Sequence, residues 1–406
     1  MLFDLFNVAL FISLAAADLV RVGNMECEEV RQYNQCLPRW LATAPGVGIH
    51  LAAEYGAVSA SYHNGTVVDI ARIDASLQFA NLMAKLADPY FCSKTFTSTQ
   101  RFMHTLTNPR RWDIPNLFSR SPSNPTDLLT EMLTQLRIKA EEHLNTAVTH
   151  VQVILPDLPG LTYNTLEEAA GYSGLTLLQG FTASSSHSSL TYAALAKKKK
   201  IFPTLTTAAY VATRKYGLCK NYTDPEACNR QNVGIEKSEE LTRGILRISL
   251  DSQTLSIDGG ECNSATTCFG STRSRNLEDM GYHSSLRREN PTRYWNTIAD
   301  MILQAGVKTG SRGLDFLMLM GDYVLEQDFL DSLEMALLYV DGGAEIIDQL
   351  RSDGYTVKYE PVFLAARGAA EMAKRIAAGQ KVYSGDEGCE EQGPREGVNI
   401  NEQEDI

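Results

Sequence analysis

The chain has 406 residues, is 44% hydrophobic and 21% charged, and carries a formal net charge of −12. This is ordinary globular material, long enough for one two-lobed domain or two smaller ones. The negative balance argues against nucleic acid and anionic membrane surfaces as main partners.

Leu2 to Ala17 is almost wholly apolar and closes with Ala15-Ala16-Ala17 before Asp18. It falls short of the ~20 residues of a membrane span. Its small-residue end fits a signal peptide over residues 1–17, with secretion or the endoplasmic reticulum lumen as destination. A buried N-terminal helix and a membrane anchor are the alternatives. Residues 18–45 then read as an N-terminal extension.

Residues 47–73 hold apolar runs on either side of His63-Asn64-Gly65, and Asn-Gly in that setting predicts a hairpin. Residues 125–144 predict a helix capped by Thr126 or Asp127, with Leu128, Met132, Leu136 and Ala140 on one face. Residues 148–155 read as a buried strand, and 164–173 as a helix whose Thr165 and Glu168 fit a capping box. Residues 175–178 make a short strand. Residues 184–243 break the pattern with a Ser-rich opening, the run Lys197-Lys198-Lys199-Lys200 and a cysteine loop. They read as an insertion or long connection, and the lysine run as a solvated loop, with a processing site or anionic contact as alternatives. Residues 245–257 return to strand–turn–strand, and 259–290 are polar and turn-rich. Helices follow over 295–305 and 327–339, a strand over 314–320, and residues 371–378 lie in the last helix. The acidic stretch 381–406 reads as disordered. Strands interleaved with helices imply an α/β fold.

Six of the eight cysteines form close pairs: Cys27 with Cys36, Cys219 with Cys228, and Cys262 with Cys268. Cys92 and Cys389 are left over. Short cysteine-bounded loops in a secreted chain predict local disulfides. Zinc is the rival, but no C-x-x-C pair or suitably spaced His accompanies them. Two glycosylation sequons occur, at Asn64 and Asn221.

Three segments lie in the order of the strand-and-turn units that hold ATP in Hsp70-family nucleotide domains. They are Val47 to Ala52, Ile245 to Thr254 and Phe316 to Asp322. Val148-Thr149-His150-Val151-Gln152-Val153-Ile154-Leu155-Pro156 and Glu168 to Leu178 resemble that family most closely. Thr99-Gln100-Arg101-Phe102-Met103, Thr182-Ala183 and Phe363 to Ala370 are also similar to its motifs. The resemblance covers about 46–195 and 244–380.

It implies a two-lobed actin/Hsp70-like fold of duplicated ribonuclease H-like lobes, lobe I at 46–195 and lobe II with its hinge helix at 244–380. Residues 196–243 would be an insertion between them. The short distance between the second and third turns implies a reduced outer subdomain in lobe II. Two closely crossing hinge helices are expected, with Gly368-Ala369-Ala370 at the second crossing and Ala183 near the first. The peptide-gripping β-sandwich of family chaperones is not expected in the chain as given.

The family's chemistry is mostly replaced. Phosphate-cradling turns need glycines so the backbone can approach, and carboxylates to hold Mg²⁺. His50 and Ala52 stand where the family has Asp and Gly, and Glu54 replaces a Thr. Ser249 to Ser256 keeps only Leu250 and Thr254 of the second turn. The catalytic Lys falls on Gln100 and a conserved-motif Glu on Gly180, while Gly321 keeps one glycine of the third turn. By position, Tyr55, Gln100, Thr254 and Gly321 would lie nearest a nucleotide. No catalytic residue and no metal ligand is expected.

The expectation is a pseudo-ATPase acting on an unidentified protein partner, with retained ATP and Mg²⁺ binding as the alternative. Glu54 and Asp251 place negative charge where phosphate would sit, and are expected in turns that face solvent and bind nothing. A switched ligand is a further possibility. His50, alone at a strand end, reads as structural.

Overall fold

The computed structural model describes residues 41, 43–87, 125–156, 161, 163–178, 204–213, 243–264, 267–270, 275–277, 280–307, 309, 313–352 and 360–377. The apolar leader, Cys27, Cys36, Cys92, Gln100, Gly180, Ala183, the lysine run, Cys219, Asn221, Cys228, Cys389 and the acidic tail lie outside these residues.

The first sheet begins with β1 (Gly46–Leu51), β2 (Tyr55–Ser61) and β3 (Val67–Asp74), an antiparallel meander. Gly65, at φ +79°, supplies the left-handed residue that the Asn-Gly hairpin between β2 and β3 requires. After α1 (Leu77–Ala87) and α2 (Pro125–Leu144), β4 (His150–Ile154) joins β1 in parallel. α3 (Tyr163–Tyr172) leads to β5 (Thr176–Leu177), giving the order β3-β2-β1-β4-β5. Strand β1 is buried along its whole length, so its two faces serve two cores. Val47, Ile49 and Leu51 point into a core closed by α1, α2 and α3.

The second sheet repeats the plan. β6 (Arg243–Leu250), β7 (Leu255–Ser264) and β8 (Thr267–Gly270) form an antiparallel meander, and β9 (Arg275–Leu277) pairs with the start of β7. Short α5 (Ser285–Glu289) precedes α6 (Pro291–Gly306). Asn290 caps α6, its side-chain oxygen accepting the Arg293 N–H at 3.0 Å, and Pro291 sits at the first turn. β10 (Phe316–Met320) then joins β6 in parallel, giving β10-β6-β7-β8. α7 (Gln327–Leu337) and α8 (Gly343–Ser352) follow. Leu246, Ile248 and Leu250 of β6 pack with these helices in a second core.

The remaining faces of the two sheets meet the same pair of helices, α4 (Leu205–Ala212) and α9 (Leu364–Ala377). Ile154 of β4, Ile245 of β6, Phe316, Met318 and Met320 of β10, and Leu205, Ala208, Leu364, Ala365 and Ala369 share one core. A Cβ at Gly48 would lie 2.0 Å from the Ala370 nitrogen, and one at Gly368 would lie 1.7 Å from the Ala208 carbonyl oxygen. The α9 backbone therefore rests directly on β1 and on α4. Polar contacts fix α9 as well. Arg367 donates to both Asp69 oxygens at 2.7 and 2.5 Å. Ser61 donates to Glu371 at 3.0 Å, as does Arg375, and Lys374 donates to the Ala44 carbonyl at 2.6 Å.

Two expectations differ from this arrangement. Residues 205–212, read from sequence as part of an insertion outside the core, form a helix buried at the centre of the molecule. Its Ala208 meets Gly368, while Ala183, expected near the first crossing, lies outside the described residues. The stretch after residue 259 is also not all turn: β7 runs to Ser264, and β8 and β9 pair with it. Strands of four and three residues, TCFG and RNL, are too short to show a period of two.

The contact at Gly368 yields a direct test. Gly368→Ala leaves helix propensity improved but forces α9 and α4 apart, so a net loss of ~1–3 kcal/mol is expected. Urea unfolding would measure it, and an unchanged or raised midpoint would show that the two helices are not held in contact.

Candidate functional site

At the ends of the two sheets, the β1–β2 turn faces the β6–β7 turn. The second turn is tight: Asp251 N–H donates to the Thr254 carbonyl at 2.9 Å. A neighbouring segment stiffens it, with Tyr282 N–H donating to the Asp251 carbonyl at 2.9 Å and His283 N–H to the Ser252 carbonyl at 2.8 Å. Gly281 lies so close that a Cβ there would be 2.1 Å from the Gln253 carbonyl carbon. The N–H groups of Ser252 and Gln253 are thereby aimed outward as a ready-made anion nest.

Glu54 fills that nest. Ser252 N–H donates to Glu54 Oε2 at 3.1 Å and the Ser252 hydroxyl donates to the same oxygen at 2.6 Å. Gln253 N–H donates to Oε1 at 2.6 Å. The expectation that the Glu54 and Asp251 turns face solvent is therefore wrong. The turns face each other, and Asp251 is only 5% exposed. The reason is stereochemical: a carboxylate three residues beyond β1 has the reach and charge to satisfy orphan amides across the gap, which a run of letters does not show.

A second contact closes the gap alongside. Arg72, on β3, donates through Nη2 to Asp322 Oδ2 at 2.8 Å and through Nη1 to Oδ1, a bidentate pair just after β10. Its Nε donates to Asp74 at 3.2 Å, and its guanidinium lies 4.7 Å from the centre of the Tyr55 ring. Arg72 and Asp322 were not singled out by sequence reasoning as a pair. Their only signal is the charged alternation of β3, which any solvated strand shares.

The positions predicted by motif fare differently. Tyr55 is fully buried and packs edge-on against His50 at 5.8 Å between ring centres. Gly321, at φ +89°, sits against Asp251, where a Cβ would lie 2.6 Å from Oδ1. Thr254 closes the second turn through its carbonyl. These three converge on one place, while Gln100 lies outside the described residues. His50 is 2% exposed, and burial, then the Arg247 charge, pushes its pKa down to about 3. It is held as the neutral imidazole near pH 7, with a single ring N–H.

Asp251 is the electrostatically loaded residue. Burial first, then the charges of Glu54 and Asp322, push its carboxyl up from 3.8 to about 7, with hydrogen bonding from Ser249 pulling partly back. An acid whose pKa rises on folding binds its proton more tightly in the native state. Its contribution to stability is therefore complete below about 4 and is lost as pH climbs through about 7. The same carboxylates raise the Tyr55 hydroxyl, after burial as the main cause. Among the described residues no His, Cys, Asp and Glu side chains group as metal ligands, and no helix is long and apolar enough to cross a membrane.

Glu54→Ala removes three hydrogen bonds to a charged acceptor at a half-buried site. A loss of ~1–3 kcal/mol in unfolding free energy is expected, while Glu54→Gln, which keeps one acceptor oxygen, should recover part of it. Chemical denaturation of the three proteins would measure the ranking, and equal stabilities would show that the latch does not form.

Compared with known proteins, the chain matches no protein-family model and no curated sequence.

Proposed function

We propose that this chain is a degenerate nucleotide domain of the actin/Hsp70 architecture, without ATPase activity, serving the secretory pathway as a protein-binding or scaffold module. The observation that carries this reading is the Glu54 carboxylate seated on the Ser252 and Gln253 amides. In an active domain of this type those turns hold phosphate. Here an internal acid takes the donors, and Asp251 and Asp322 stand beside it without glycine-rich backbone to spare. A polyphosphate would have to displace Glu54 and then lie among carboxylates, a repulsion of several kcal/mol in a partly buried cleft.

The repeated sheet plan supports the architecture. Each sheet has an antiparallel meander with a parallel strand on the far side of its first strand, the order of a ribonuclease H-like lobe. The helix pair α4 and α9, crossing at Ala208 and Gly368, stands where hinge helices would be. With the lobes latched by side chains, the ligand is replaced by the chain itself, and the outer surface is left to present to a protein partner.

Two measurements test the reading. Millimolar Mg-ATP should leave thermal unfolding of the purified protein unshifted. A ligand at about 100 times its Kd would add ~2.7 kcal/mol, and an upward shift of that order would overturn the inactive-scaffold reading.

For the compartment, Asn64 lies exposed at a hairpin tip with Thr66 beside it, and the register pairs Cys262 with Cys268 across β7 and β8. Expressed through a secretory pathway, the protein should lose mass on glycosidase treatment, less so as Asn64→Gln. It should also yield a non-reduced peptide joining Cys262 to Cys268. Absence of both products would argue for a different compartment.

A further inference from the structure

The latch brings together more negative charge than it neutralises. Glu54 comes from one side of the gap, and Asp251 and Asp322 from the other. The groups facing Asp251 can be named element by element. The β1–β2 turn brings Glu54, and β2 brings Tyr55. β6 brings Ser249, whose hydroxyl donates to Asp251 Oδ2 at 3.3 Å. The loop after β10 brings Asp322 and Tyr323. The 281–283 segment brings backbone amides, with the His283 ring against the Tyr323 hydroxyl at 3.2 Å. From β3, Arg72 reaches Asp322 and the Tyr55 ring. Among the groups named, Arg72 alone carries a permanent positive charge, and its bidentate pairing goes to Asp322.

Asp251 differs from the other two acids. Glu54 is held by three donors and Asp322 by a guanidinium. Asp251 is buried within range of both their charges, with the Ser249 hydroxyl and the Asp322 backbone N–H as donors to its carboxylate. Ionised, it sets a negative charge on one side of the gap against the Glu54 charge that bridges it. Protonated, it removes that repulsion without disturbing any donor that Glu54 uses.

We propose that this carboxylate cluster is a proton-operated clasp: one proton on Asp251 holds the two turns together, and its loss lets Glu54 leave the Ser252–Gln253 nest so that the gap opens. The step moves a single proton between solvent and the Asp251 carboxyl and breaks no covalent bond. Closure is favoured in mildly acidic solution and release near and above neutrality, the direction in which burial and the neighbouring acids bias this group. The inference rests on Glu54 being the occupant of the nest.

The test uses the full chain and hydrogen exchange read by mass spectrometry on the peptide spanning residues 250–255, corrected for intrinsic exchange. Between pH 6 and pH 8 protection should fall about tenfold, the ratio for one proton released near pH 7. Asp251→Asn, which cannot ionise, should stay protected at both pH values, and peptides of β1 and β6 should not change. Equal protection of the wild type at pH 6 and pH 8, or an undiminished pH dependence in Asp251→Asn, overturns the clasp. Glu54→Ala separates the two readings. If it leaves protection at pH 6 unaltered, Glu54 does not hold the nest, and the inactive-scaffold reading fails with it. If it abolishes protection while the pH dependence is missing, the latch stands and the proton control alone is refuted.

Discussion

Everything at the latch depends on how closely α9 lies on β1. Gly46 and Gly48 face the α9 backbone at distances no side chain could tolerate, and Gly368 on the other side meets the Ala208 carbonyl. Three glycines thus let a strand and two helices pack backbone to backbone. That contact sets the separation of the two sheets, and the separation sets the gap between their end turns.

The centre of the molecule is polar where such a contact would otherwise be greasy. Arg247, fully buried on β6, donates to the Thr206 hydroxyl and to Ser256, each at 3.0 Å, and Thr206 donates to Asp258 at 2.5 Å. Glu371 and Arg375 pair within α9 at 3% exposure or less. Buried charges of this kind add little net stability, because desolvation offsets their attraction. They do penalise alternatives, since a shift of α4 would take the Thr206 hydroxyl from Arg247 and Asp258, and a shift of α9 would part Glu371 from Ser61 and Arg367 from Asp69. The arrangement is therefore specific in geometry, and the acids outnumber the bases at the latch on its edge.

Much of the local structure is legible from periodicity alone. The helix at 125–144, the strands around 150, 176, 250 and 318, and the hairpin at Asn64-Gly65 follow from apolar spacing and turn chemistry, whereas Thr126, Asp127 and Thr165, read as caps, lie inside helices that begin at Pro125 and Tyr163. The helix at 205–212 was not legible, because LTTAAYVA is short, lacks a polar face and follows a serine- and lysine-rich stretch. A helix buried on all sides gives no amphipathic signal. The strands β8 and β9 were lost because four and three residues are too few to show an alternation.

The candidate site divides in the same way. The sequence by itself determined that the turns at 52–54 and 251–254 contain no glycine and that Glu54 and Asp251 put acids in them. It could not say where those charges go, and solvent was the simpler expectation. Only the tertiary structure decided that Glu54 crosses to the Ser252 and Gln253 amides, that Asp251 is buried, and that Arg72 meets Asp322. The physical reason is range. Periodicity and turn chemistry act over a few residues, whereas a carboxylate finds its donors nearly two hundred residues away only once two sheets have been packed at a fixed distance.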